Sequence, residues 1–247
     1  EFPFYNFQSS YRYPNKNLSF FSENIFYLND KLSITPGIRY EFIKTESDGF
    51  YKRTNQDAAG NVIFDELINN SEIRKRNFIL LGLGSSYKLS NSFEIYFNIS
   101  ENYRSVTFAD ISIFNPAYSI NPNISDENGS TTDIGIRGTY KDFISYDLSG
   151  FLLAYNNRIG FVQRVASSGN VKSERGNVGD AEIFGFESII DLNLAKLFLK
   201  NNDNIILNYF INFSSISSEY INSIEPGVKG KKVEFIPELN IKTGAKF

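Results

Sequence analysis

Hydrophobic and polar residues alternate along much of the chain, most clearly in residues 32–42. The apolar positions there all have even numbers: Leu32, Ile34, Pro36, Ile38, Tyr40 and Phe42. The positions between them are small or polar, and they include Arg39 and Glu41. Successive side chains of a β-strand point to opposite faces, whereas a helical face repeats about every 3.6 residues. This segment is therefore predicted to be a strand with one apolar and one polar face.

The same period of two recurs in residues 93–104, 131–140 and 204–215. Five further segments have the composition of strands with less regular alternation: residues 18–28, 78–87, 146–155, 181–192 and 233–247. Together these segments predict about nine strands. The fold class is therefore predicted to be all-β.

The connections between these strands alternate in length. Short turns are expected at residues 29–31, 88–91 and 141–143, and long polar loops at 44–77, 105–130, 156–180 and 216–232. The connection at 193–203 has room for one turn of helix. Long structureless loops are uncommon in compact domains, but a transmembrane barrel has short turns on one rim and long loops on the other. The pattern therefore predicts an antiparallel transmembrane β-barrel.

The composition narrows the chemistry available to the chain. Its 247 residues include 15 Tyr and 24 Phe, which suit pleated surfaces, and they include neither Cys nor His. Ser-His-Asp and Cys-His catalysis are excluded, as are metal sites that need thiolate or imidazole ligands. We therefore expect a protein that is not an enzyme and that uses no metal or cofactor.

Charge and hydropathy exclude two further classes. The formal net charge is −3, and the Lys and Arg residues form no dominant stripe, so nucleic-acid binding is not expected. No stretch approaches the roughly 18 apolar residues that a transmembrane helix needs. A membrane-spanning protein of this composition would have to cross with strands.

Two sets of polar residues are candidates for function. On the polar faces of predicted strands, and so toward the barrel lumen, we place Arg39, Glu41, Glu94, Asn98 and Arg137. For an anionic ligand at the outer rim, the candidates are Tyr51, Arg53, Arg74, Arg76, Tyr103 and Arg104, since guanidinium groups bind carboxylates and chelates through paired hydrogen bonds. The alternatives are structural ion pairs for the lumen arginines and a solvated loop for residues 51–76.

Several segments resemble a known family. They include Ile34-Thr-Pro-Gly-Ile-Arg-Tyr-Glu, Asn102-Tyr-Arg-Ser-Val-Thr-Phe-Ala-Asp-Ile, Asp133-Ile-Gly-Ile-Arg-Gly and Gly179-Asp-Ala-Glu-Ile-Phe-Gly-Phe-Glu. In this order they resemble the barrel of TonB-dependent outer-membrane receptors of the ferric-dicitrate transporter family. The resemblance implies a bacterial outer-membrane protein whose 22-stranded barrel is closed by a plug. It also implies that the TonB complex acts on the plug to drive uptake.

About nine strands cannot close a 22-stranded barrel, so residues 1–247 are expected to form a partial barrel domain without its plug and remaining strands. The expected function is active transport of a ferric chelate, either ferric citrate or a siderophore. The expected partners are that chelate, the TonB complex through the missing plug, and outer-membrane lipid. A receptor for another nutrient such as an oligosaccharide, a passive porin, and a soluble glycan-binding β-sandwich remain open alternatives.

Overall fold

A computed structural model describes residues 9–111, 118–165, 169, 171–198 and 205–247. The strands are β1 (Ser9–Arg12), β2 (Asn15–Glu23), β3 (Phe26–Tyr27), β4 (Leu32–Gln56), β5 (Val62–Ser90), β6 (Phe93–Arg104), β7 (Tyr118–Ile120), β8 (Glu127–Tyr140), β9 (Ile144–Val165), β10 (Val171–Asn193), β11 (Asn208–Asn222) and β12 (Leu239–Lys246). The short helices are α1 (Phe108–Ile111) and α2 (Leu194–Phe198). No helix among the described residues is long and apolar enough to cross a membrane.

All the strands belong to one sheet with the order β1-β4-β5-β6-β8-β9-β10-β11-β12. Strands β1, β2 and β3 pair in turn with the same edge of β4, so they form one interrupted column. Strand β7 pairs in parallel with the outer part of β10, and the other pairs are antiparallel. The described sheet therefore has nine main columns, which confirms the predicted all-β class and strand number, and it does not close on itself.

One face of this sheet is apolar and uncovered. Ile38 lies opposite Leu81, and both side chains are about half exposed, as are Leu152 and its neighbour Phe184. Such a wide apolar surface is unfavourable in water. From residue 32 to residue 42 the apolar positions span about 25 Å along the barrel axis, the height of the apolar band of outer-membrane barrels. This face is therefore the lipid-facing face.

The short connections at one end of the sheet are tight turns, as the turn between β8 and β9 shows. Lys141 and Asp142 both have positive φ angles, and the Phe143 amide donates to the Tyr140 carbonyl at 3.3 Å. Positive φ at both central positions produces the strand-matching twist of a type I′ hairpin turn. Helix α2 occupies the connection from β10 to β11, where one helical turn was predicted.

The predicted loops at 44–77 and 156–180 are wrong, because most of these residues continue the strands. Strands β4 and β5 remain paired out to Gln56 and Val62, well beyond the apolar band. Strands β9 and β10 likewise pair out to Val165 and Val171. Lipid covers neither face of these extensions, and only individual residues such as Val162 and Val178 are buried, under the connection that follows β11. Their sequence therefore lacks the apolar alternation that marks a strand buried along one whole face.

The boundaries near the C-terminal end also differ from prediction. Strand β11 continues to Asn222, and β12 begins at Leu239 instead of Val233. The connection between them folds back on the hairpin of β9 and β10, where Val233 packs with Val162 and Val178 in a small core. Burial against this hairpin, and not strand pairing, explains why Val233 is apolar.

The orientation of the two faces can be tested with a matched pair of substitutions in β5. Leu83 lies on the lipid-facing face, between Pro36 and Ile99, whereas Leu80 lies on the opposite face. Leu83→Arg is expected to lower the free energy of unfolding by about 2–4 kcal/mol, and Leu80→Arg by less than about 1 kcal/mol. The measurement is denaturant unfolding of the full-length protein in lipid vesicles. Equal losses for both variants would contradict the assignment.

Candidate functional site

The candidate site lies where β5 and β6 separate. The two strands pair only from Gly82 and Ser100 toward their connecting turn. Beyond those residues β5 stays with β4, while β6 stays with β8. The connection from β6 to β8 is described at residues 105–111 and 118–126, and these residues contact β5 and β6 and reach β10. Two carboxylates of this connection, Asp110 and Asp126, hold it in place.

Asp126 joins the connection to β5 and β6. Its carboxylate accepts hydrogen bonds from Arg76 Nε at 2.6 Å, from the Val106 amide at 2.7 Å and from the Tyr103 hydroxyl. The Tyr103 ring lies against Phe78, with ring centroids 3.8 Å apart. The Arg76 side chain is only 7% exposed. Asp126 therefore links the separated strands through a largely buried ion pair.

Asp110 joins the same connection to β6 and β10. Its side chain is 1% exposed and lies between two guanidinium groups, with Arg104 Nη2 at 3.1 Å and Arg175 Nη2 at 2.6 Å. The amide and hydroxyl of Thr107 donate to the same carboxylate, both at 2.9 Å. Arg104 Nη1 also donates to Glu127 at 2.9 Å. Every charged group in this cluster has an oppositely charged partner, and these ion pairs offset the free-energy cost of burying the charges.

The protonation of this cluster follows from its contacts. Burial alone would raise the pKa of Asp110, but donation from Thr107, Arg175 and Arg104 outweighs it and holds that pKa below the usual aspartate value. The pKa of Asp126 is lowered in the same way, with Arg76 and Tyr103 outweighing burial. Burial, and then the bond to Asp126, raises the pKa of the Tyr103 phenol. At neutral pH both aspartates are charged and Tyr103 is neutral.

The structure brings four of the six ligand candidates together: Arg74, Arg76, Tyr103 and Arg104. Each of them forms hydrogen bonds within the chain, and Arg74 Nη1 donates to the Ile124 carbonyl at 3.1 Å. Of the three arginines, Arg104 keeps the largest exposed fraction, 42% of its side chain. A ligand role for these residues remains a prediction.

The other two candidates lie in β4. Tyr51 pairs with Ser9 and Ile68 near the tip of the long hairpin, away from the Asp110 cluster. The backbone of Arg53 pairs with Glu66, and its side chain lies outside the described part of the structure. Arg53, Arg74 and Arg76 were expected in a loop, but they lie in paired strands.

Sequence reasoning missed Asp110, Asp126 and Arg175. Isolated carboxylates and arginines in polar segments look like solvated loop residues, and only the folded connection places them in contact. Asp110 and Arg175 are 65 positions apart in the chain. The available signal was a pair of aspartates in a segment that also contains the apolar residues Val106, Ile120 and Ile124, which pack together with Ile159.

The five residues predicted to face the lumen lie on the sheet face opposite the apolar one. Arg39 donates to Ser19 and Glu41, and Arg137 bonds both oxygens of Glu94 at 3.1 Å. Asn98 donates to Asp133 at 3.2 Å on the neighbouring strand. The contacts of Arg137 and Asn98 join neighbouring strands, whereas Arg39 and Glu41 both lie in β4. A functional role for these lumen-face residues remains a prediction.

A small cavity of about 230 Å³ opens beside Arg104. Its lining consists of Asn102, Tyr103, Arg104, Glu127, Asn128 and Tyr155. Amide, phenol and guanidinium groups there can bind and orient a polar ligand. The described residues contain no group of three or more His, Cys, Asp or Glu side chains arranged to hold a metal ion.

The family profile for the TonB dependent receptor-like beta-barrel matches residues 2–247. The chain belongs to this family. Proteins of this family lie in the bacterial outer membrane, which agrees with the apolar face of the sheet. No match was found among curated proteins.

Solved structures with the same fold include three receptors and transporters. The copper transporter OprC is 16% identical with a TM-score of 0.65, and the alignment covers 94% of this chain and 32% of OprC. The ferric yersiniabactin uptake receptor FyuA from Yersinia pestis is 16% identical with a TM-score of 0.65, and the alignment covers 96% of this chain and 32% of FyuA. The ferric citrate transporter FecA is 15% identical with a TM-score of 0.59, and the alignment covers 96% of this chain and 40% of FecA. The chain therefore spans about a third of the length of these proteins.

The role of Asp110 can be tested through pH. A group whose pKa is lowered by folding contributes stability above the ordinary aspartate pKa of about 3.9, and that stability is lost as the pH falls through the lowered value. The protection factors of the amides in residues 105–111, which compare the observed exchange rate with the intrinsic rate at the same pH, should therefore be high near neutral pH and fall in acid. Asp110→Asn should exchange about tenfold faster or more at neutral pH, because it loses charge-assisted bonds. Unchanged protection in Asp110→Asn would contradict this role.

Proposed function

We propose that the full-length protein is an outer-membrane transporter that takes up an anionic ferric chelate, such as ferric citrate or a ferric siderophore. Family membership supports a TonB-dependent receptor. The observation that carries the choice of an anion is the exposed flank of Arg104 in the cavity at the outer end of β6. Similarity to receptors described for ferric yersiniabactin and ferric citrate supports the ferric part of the proposal.

The geometry around Arg104 suits an anion held by positioned donors. Asp110 and Glu127 fix the guanidinium from two sides, so little side-chain entropy is lost when a ligand carboxylate binds its free flank. Tyr103 and Tyr155 add aromatic surface to the same cavity. A guanidinium fork recognises a planar carboxylate through paired hydrogen bonds.

The similarity to a copper transporter raises a second substrate class, which the composition disfavours. Copper is bound preferentially by imidazole, thiolate and thioether ligands. The chain contains no His, Cys or Met. These residues therefore provide no soft ligand for a bare copper ion, whereas an anionic chelate carries its own metal ligands.

Transport in this proposal consists of binding and energy-coupled release, without covalent chemistry and hence without enzymatic activity. The remainder of the polypeptide supplies the strands that complete the barrel and a plug that contacts the TonB complex. The paired polar groups on the lumen face, such as Glu94 with Arg137, line the route past the plug.

The ligand role of Arg104 is tested by Arg104→Gln in the full-length protein. Loss of one charge-assisted contact is expected to weaken binding of ferric citrate or a ferric siderophore about tenfold to a hundredfold. Asp110→Asn is the matched comparison, because it loosens the same cluster but keeps the guanidinium, so it should lose clearly less affinity than Arg104→Gln. Binding is measured by titration calorimetry, and uptake by radioactive iron in cells that lack other iron receptors.

Two results would overturn the anion assignment. Equal affinity in Arg104→Gln and the native protein would exclude a ligand contact. An equal loss in Asp110→Asn would show that Arg104 acts only through folding of the connection. Iron uptake that persists without TonB would identify a passive porin, and uptake of an oligosaccharide instead of iron would identify a different nutrient receptor.

A further inference from the structure

Three lysines form one cross-strand row on the lipid-facing side of the sheet. In β4, Lys44 lies directly between Lys16 of β2 and Lys75 of β5. The three follow the alternation of the apolar face, which continues below them as Leu18, Phe42 and Asn77 and then as Phe20, Tyr40 and Ile79. We define Lys16, Lys44 and Lys75 as the lysine row.

The lysine row lies immediately outside the apolar band. Phe42 is the last apolar residue of the β4 series that begins at Leu32, and Lys44 is the next residue on that face. Two residues of a strand tilted near 40° rise about 5 Å along the barrel axis. The ammonium groups can extend further on their flexible stems. They therefore reach the layer where the phosphate groups of the outer leaflet lie.

Among the described residues, only one of the three charges in the lysine row has an ion-pair partner. Like charges directly opposite each other in a sheet repel, so such a row destabilises the sheet in the absence of a counter-ion. Lys44 pairs with Glu46, but Lys16 and Lys75 are exposed and have no ion-pair partner among the described residues. The row keeps a net positive charge next to the lipid.

Other strands end their apolar face differently. On β6 the corresponding outward residue is Glu101, and on β10 and β11 Glu182 lies opposite Glu219. The basic surface is therefore confined to β2, β4 and β5. Its separation from the cavity beside Arg104, which lies between β6, β8 and β9, makes it independent of the proposed ligand site.

We propose that the lysine row binds the phosphate groups of a phosphorylated glycolipid in the outer leaflet of the outer membrane. Three ammonium groups in register supply several point charges to a phosphorylated sugar headgroup, while Leu18, Phe20 and Tyr40 below them contact the acyl chains. Binding of such a lipid relieves the repulsion within the row and fixes this side of the barrel in the leaflet.

The test uses the full-length protein, purified in a non-ionic detergent, with deep-rough lipopolysaccharide as the probe. The triple variant Lys16→Gln, Lys44→Gln, Lys75→Gln should bind this lipid at least about tenfold more weakly than the native protein, as measured by native mass spectrometry. Enzymatically dephosphorylated lipid should bind both proteins equally weakly. The matched charge control is Lys172→Gln, Lys229→Gln, Lys231→Gln, which should bind normally.

A second variant separates charge from folding. Replacing the lysine row by three arginines keeps the charge, so binding should be retained, and heat-dependent mobility on denaturing gels confirms a folded barrel in each variant. Equal lipid binding by the triple glutamine variant and the native protein would overturn the proposal. So would an equal loss in the charge control, or competition by inorganic phosphate at millimolar concentration, which would indicate a site for a soluble anion.

Discussion

The structure depends on the requirement that every backbone amide and carbonyl in an apolar medium has a hydrogen-bond partner. In lipid no water can replace a missing partner, so the strands must pair continuously across the apolar band. Strands β4, β5, β6, β8, β9, β10 and β11 do so in antiparallel register. Once pairing is fixed, alternation places Ile38, Leu81 and Ile134 toward lipid and Arg39, Glu94 and Arg137 toward the lumen.

Outside the apolar band this constraint relaxes, because water can bond to the backbone. There β5 and β6 separate, and contacts between side chains connect the strands in place of backbone hydrogen bonds. Asp126 ties the 105–126 connection to Arg76 of β5, and Asp110 ties it to Arg175 of β10. These ion pairs are mostly buried, so removing one partner leaves a buried charge uncompensated. The described outer part of the protein therefore depends on a few ion pairs, and protonation of Asp110 or Asp126 in acid would weaken them.

The lysine row and the Arg104 cavity show two uses of positive charge on one sheet. Arg104 is surrounded by carboxylates, and only its flank remains available for an anion. Within the described part of the chain Lys16 and Lys75 have no such partners, and they lie beside the apolar face. Arginine with fixed neighbours suits recognition of one planar group, whereas lysines on long stems suit phosphates whose positions vary. We therefore propose different partners for the two sites, a chelate for the cavity and a lipid for the lysine row.

The sequence by itself determined the strands in the apolar band and their faces, because lipid on one side and a polar lumen on the other impose a period of two. The absence of His and Cys likewise excluded catalysis and metal sites that need imidazole or thiolate groups. Only the tertiary structure revealed the long outer hairpins, because neither of their faces lies against lipid and no such period results. Only the tertiary structure joined Asp110 to Arg175 and aligned Lys16, Lys44 and Lys75, since strand register sets these contacts between residues distant in sequence.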